Sequence, residues 1–179
     1  MIFLAGIHGV GKDAFSKEIE EKTGIKSYSA SELIQEQGNM SFYANKRANN
    51  ISKNQDYLVE AIKNKNLSGR YILNGHFCLI NSNGEVERIP IDTFFSLKLE
   101  KIVLLIERPE IIIARREIRD KIVTSVEETE SFQDEEIAYG REVARLLDIP
   151  IGIFNSTNER KKAIDFVVKG RSEKEKDIV

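Results

Sequence analysis

GIHGVGKD, residues 6–13, is the stretch on which the reading of this chain turns. Gly6, Gly11 and Lys12 satisfy the spacing G-x-x-x-x-G-K. In that pattern, glycine backbone wraps a phosphate group with inward-pointing N–H groups while the lysine reaches the outer phosphates. One position departs from it. The pattern places Ser or Thr after the lysine, where the hydroxyl ligates Mg²⁺, and here Asp13 stands instead.

The flanks supply the context such a loop needs. MIFLAGI, residues 1–7, is a short apolar run of the kind buried on both faces of a parallel sheet. KDAFSKEIEEKTG, residues 12–24, places Phe15, Ile19 and Thr23 on one helical face and ends on Gly24. A helix beginning where the loop ends turns its positive end toward a bound anion. The expected nucleotide-binding residues are therefore Gly6, His8, Gly9, Val10, Gly11, Lys12 and Asp13. The alternative for the loop is a turn with no ligand, and for His8 a side chain pointing to solvent or packing locally.

Further along, apolar runs alternate with helical periodicity. Strands are expected in IKSYSA, RYILNG, KIVLLIE and IPIGIFN. Helices are expected from a cap at Ser31, over NQDYLVEAIKNK, from a cap at Asp92, after Arg108 with Pro109 at an early position, around Ile137, Ala144 and Leu147, and in ERKKAIDFVVK. Asn83-Gly84 marks a β-hairpin between them. This alternation predicts an α/β domain of three layers, with a mostly parallel central sheet of about five strands, the P-loop NTPase arrangement. Residues 1–169 form that domain. Residues 121–136, highly charged and without apolar spacing, are expected to act as a lid, and residues 170–179 as a charged, disordered tail.

Composition narrows the function classes. A net charge of −2 across 179 residues gives no overall attraction to nucleic acid or membrane, and no long apolar run suggests a membrane span. The single cysteine, Cys78, excludes an internal disulfide, and two histidines make a histidine-rich metal site a poor expectation. A cytoplasmic location is expected.

Several segments in order resemble the adenylate-kinase-like nucleotide kinases, particularly the archaeal-type adenylate kinases. Beside GIHGVGKD, YSASELIQ resembles the I-S-T-G-D-L-L-R segment that opens the acceptor region. LNGHFCLI resembles the V-D-T-H strand, and IVLLIERPEIIIARREIRD a segment of form I-V-L-V-x-x-x-P-x-x-I-x-x-R-R-x-x-D. GREVARLLDIPIGIFN resembles the helix and strand before the adenine loop. The resemblance implies phosphoryl transfer from ATP, with Mg²⁺, to a small acceptor that is a nucleotide or nucleoside. Transferred phosphoryl groups need converging cations, and Lys12, Arg116, Arg119 and Arg141 are expected in that catalytic role. For the arginines the other reading is a solvated basic face paired with nearby glutamates. Asn155 falls where the family passes backbone around adenine. Gln35 replaces the family's phosphate-holding arginine, Ala30 its threonine and Asn74 its acidic residue. Lys46 and Arg47 could replace the missing cation. The carboxylate and the neutral ligand have thus changed places, so Asp13 and Asn74 are expected to share Mg²⁺; the plainer role for Asp13 is capping the first helix. A second functional reading is a nucleotide sensor or slow ATPase reporting to a partner, with no small-molecule acceptor. A third, phosphorylation of nucleic-acid ends, is disfavoured by the acidic balance.

Overall fold

In the computed structural model, residues 1–38, 51–65, 67 and 69–170 are described. Lys46, Arg47 and the tail from residue 171 lie outside these residues. In chain order the elements are β1 (Ile2–Ala5), α1 (Lys12–Thr23), β2 (Ser27–Ser29), α2 (Ala30–Gly38), α3 (Ile51–Asn64) and β3 (Ile72–Asn74). Then come β4 (Cys78–Ile80), β5 (Val86–Arg88), α4 (Ile91–Leu97), β6 (Lys101–Ile106), α5 (Pro109–Asp120), α6 (Val126–Leu147), β7 (Ile151–Asn155) and α7 (Arg160–Val168).

Five strands form one sheet in the order β2-β3-β1-β6-β7, each neighbouring pair parallel. The continuous apolar runs read from the sequence follow from this arrangement, because Ile2, Leu4, Ile102 and Leu104 are fully buried in strands covered on both faces. Alternation then sorts side chains between the faces. Phe3 meets Phe77 and Phe94 edge-on at 5.1 and 5.6 Å on the side of α4 and α6. Phe154 of β7 meets Phe166 of α7 on the other side. The α/β three-layer P-loop fold is the one expected. The hairpin is present as well, with β4 and β5 antiparallel and Gly84 at φ 86° in the turn.

Close approach fixes α6 on the sheet. A Cβ on Gly140 would lie 2.8 Å from Leu104 Cδ1 and 2.9 Å from the Phe77 ring, so only glycine lets the helix settle this deep.

Three helix starts differ from the sequence reading. For α2, Ser29 rather than Ser31 stands before the first residue, and its hydroxyl accepts from the Glu32 N–H at 3.4 Å. Pro90, not Asp92, precedes α4, and the Asp92 carboxylate lies inside the first turn, where the helix dipole favours it. Most consequential is α6, which begins at Val126, so residues 126–136 of the expected lid are regular helix. A capping box explains the early start: Ser125 Oγ accepts from Glu128 N–H while Glu128 accepts from Ser125 N–H at 2.9 Å. Thr129, Phe132 and Glu136 on this first half are buried.

Candidate active site

The phosphate loop joins β1 to α1 at the carboxyl end of the central strand, where ligands bind in open parallel sheets. Its glycines are required by contact as well as by conformation. Gly9, at φ 88°, leaves a Cβ position only 2.7 Å from Arg116 Cγ and 3.1 Å from the Ile112 carbonyl. Gly6, at φ 138°, would drive a Cβ to 2.6 Å from the Leu105 carbonyl oxygen.

Lys12 is buried and donates from Nζ to the carbonyls of Gly6 and, at 3.3 Å, of Ile7. Asp13 is exposed, and its Oδ1 accepts from Asn74 Nδ2 at 3.0 Å, with Arg119 at 3.9 Å. The two side chains that the sequence comparison set in exchanged positions are thus direct neighbours, joined across α1 and the end of β3. The rings of His8 and His76 lie beside them with centroids 4.1 Å apart.

A cavity of about 620 Å³ opens against this loop. Gly9, Gly11, Lys12, Asp13, Arg115 and Arg119 line one part of it, and side chains of β1, α2, α3, the β4–β5 hairpin and α4 line the rest. Arg116 is buried beside Gly9 rather than in the cavity wall, and Arg141 is exposed on α6 away from it. Asn155 is engaged in its own turn. Its Nδ2 donates to Glu107 at 3.0 Å, and its Oδ1 accepts from Thr157 and Asn158 N–H at 3.0 and 2.9 Å.

The supporting contacts of three residues were not anticipated. Arg115 donates to the Val10 carbonyl at 2.8 Å and approaches Ser156 Oγ and Thr157 Oγ1 at 3.4 Å, so it ties the phosphate loop to the turn after β7. Glu107 is the anchor of that turn. Burial alone would raise its carboxyl, but Thr157, the Arg108 N–H, Asn155 and Ser156 all donate to it and hold it down at about 2. Glu136 is fully buried on α6 and accepts from the N–H groups of Gly6 at 3.1 Å, Phe77 at 2.9 Å and Cys78 at 2.7 Å. Burial pushes this carboxyl up to about 7, against the pull of those three donors and of Lys12. One side chain therefore pins the start of the phosphate loop to the segment after β3.

A family model described as an AAA domain matches residues 5–133, more than two thirds of the chain. The chain belongs to this AAA-domain family. The matched span of the AAA-domain chain runs from β1 into α6 and takes in the phosphate loop, Asn74 and the α5 arginines. No curated protein matches it. Similar solved structures include a deoxyadenosine kinase from M. mycoides with dCMP and dCDP bound. It shares 15% identity at a TM-score of 0.55, covering 93% of this chain and 96% of that one. A shikimate kinase from Acinetobacter baumannii in complex with shikimate gives 13% identity and a TM-score of 0.60 over 93% and 89%. A gluconokinase from Sinorhizobium meliloti 1021 gives 12% and 0.53 over 93% and 88%. At these identities what is shared is the fold. Among the described residues no helix is long and apolar enough to cross a membrane.

Proposed function

We propose that this protein is an ATP-dependent, Mg²⁺-requiring kinase of a small molecule, with a nucleotide or nucleoside as acceptor. The observation that carries the reading is the phosphate loop with Lys12 set against a cavity that extends well beyond the loop itself. The extension is what an acceptor needs and a bare nucleotide switch does not. The loop N–H groups and Lys12 hold the terminal phosphates. Lys12 exchanges its bonds to the Gly6 and Ile7 carbonyls for phosphate oxygens. Arg119 and Arg115, which both line the cavity, face the charge of the transferring group, and Arg116 supports Gly9 from behind.

The donor set fits Mg²⁺. Beside the phosphate loop the carboxylate of Asp13 and the amide of Asn74 lie together at the cavity wall. Mg²⁺ is commonly held by one or two carboxylates together with substrate phosphates, which is the coordination these residues leave open. When bound it would neutralise charge between the β- and γ-phosphates.

The test is acceptor-dependent release of ADP from ATP and Mg²⁺, together with Lys12→Ala. That variant should lose transfer and bind an ATP analogue at least tenfold more weakly while its circular dichroism is unchanged. Unchanged turnover in Lys12→Ala would sink the reading.

A further inference from the structure

The cavity has two chemically different linings. The part beside the phosphate loop carries the cations Lys12, Arg115 and Arg119. The part formed by α2, α3, α4 and the hairpin is mostly hydrocarbon: Ile34, Leu58, Leu79, Ile89, Phe94 and Leu97. Set into it are Glu32 and Gln35, three residues apart on α2 and therefore neighbours on one helical face. The first is an acceptor only, and the second offers one amide acceptor and two amide donors.

These linings discriminate between acceptor classes. Among the described residues the α2–α4 wall sets no cation against a phosphate or carboxylate: beside its apolar side chains it carries the Glu32 carboxylate and the neutral Ser31, Gln35 and Thr93, and a buried charge without a charged partner costs several kcal/mol. An uncharged planar ring meets no such cost. Phe94 and Leu97 offer apolar surface to its faces, and Gln35 and Glu32 offer the donors and acceptors that an edge with amino and carbonyl groups needs. The loop-side cations remain for the phosphates of the donor.

We propose that the acceptor is an uncharged nucleoside, its base held by the α2–α4 wall and its hydroxyl directed toward the phosphate loop. The transfer step rests on the kinase reading above, whereas binding of the nucleoside does not. In that step the nucleoside hydroxyl oxygen bonds to the γ-phosphorus of ATP. The bond from that phosphorus to the β–γ bridging oxygen breaks with its electron pair left on ADP, and the hydroxyl proton passes to solvent.

Titration calorimetry on the full chain tests this, with adenosine, cytidine, their 5′-monophosphates, shikimate and gluconate, each with and without a non-hydrolysable ATP analogue. Nucleosides should bind at least tenfold more tightly than their monophosphates and the two acids. Gln35→Arg, which adds a cation at an exposed helix position, should shift the nucleoside-to-monophosphate preference at least tenfold toward the monophosphate. Tighter binding of a monophosphate or acid by the parent protein overturns the proposal, as does binding of none of the panel; both leave the kinase reading standing if the ATP analogue binds. Nucleoside binding without ATP-analogue binding would retain the acceptor assignment and defeat the kinase reading alone.

Discussion

Glu136 gives the sharpest way to perturb the site from behind. Its carboxyl satisfies three backbone N–H groups, those of Gly6, Phe77 and Cys78, at a position with no solvent exposure. Leaving a buried donor unmet costs about 1–3 kcal/mol, so Glu136→Ala exposes the fold to a loss of about 3–9 kcal/mol. That is a large share of the roughly 5–15 kcal/mol that holds a domain together. Water entering the vacated space would recover part of it, so about 3 kcal/mol is the expected floor. Below pH 7 the protonated carboxyl carries one O–H donor, and Glu136→Gln keeps one acceptor oxygen while adding a second buried donor, at a cost of about 1–3 kcal/mol. Because burial raises the carboxyl to about 7, its contribution is greatest below the ordinary carboxylate range and is lost as the pH rises through about 7. The parent-to-Gln gap should therefore be widest near pH 5 and narrow above pH 7. Urea unfolding followed by circular dichroism across that range reads both variants. A Gln variant within about 0.5 kcal/mol of the parent at pH 5 would refute the assignment of Glu136 as the clamp.

Other expectations follow from the same geometry. Asp13→Thr and Asn74→Asp should each weaken Mg²⁺-dependent binding of ATP, and the double variant should recover with a coupling above about 1 kcal/mol, because the side chains already touch at 3.0 Å; strict additivity would mean they share no metal. Glu107, held at about 2, contributes stability that is present above pH 4.5 and disappears as the pH falls through 2, and Glu107→Gln should remove up to about 3 kcal/mol of that acid-range dependence in pH-jump unfolding. Hydrogen exchange should show residues 121–125 gaining protection with ATP analogue and acceptor together, whereas residues 126–136, already helical, should be slow without ligand; fast exchange through 126–136 in the free protein would contradict the helix.

The order of strands and helices, the glycine loop and the sheet class were all legible, because each rests on a local signal: an apolar run, a 3.6-residue period or a glycine at a fixed offset. The early start of α6 had such a signal too, in the Ser125–Glu128 spacing. Its inward stripe was hidden because two of the buried positions, Thr129 and Glu136, are polar. Glu136 and Glu107 could not be found from sequence, since what makes each of them matter is a set of donors from segments remote in the chain. Charge on α5 was visible, and the i, i+4 spacing sets Arg115 and Arg119 on one face, but which face turns toward the loop was not legible. Helix phase relative to the loop sends Arg115 and Arg119 into the cavity and buries Arg116 against Gly9. The asparagine after β7 was read as lying where backbone passes around adenine, and the role of its side chain in shaping that turn was not legible.

The placement of β1 has a consequence for how the molecule comes into being. It is the middle strand, paired on one side with β3 near residue 72 and on the other with β6 near residue 102. Neither partner is local, so the chain must close loops of many tens of residues before its most buried strand has both neighbours. During synthesis at about 5–20 residues per second, β1 waits several seconds for β6 to emerge. Until then an apolar strand and a glycine-rich segment remain without their sheet. The strand that leads into the phosphate loop thus gains its second neighbour only after sequence nearly a hundred residues later has been made.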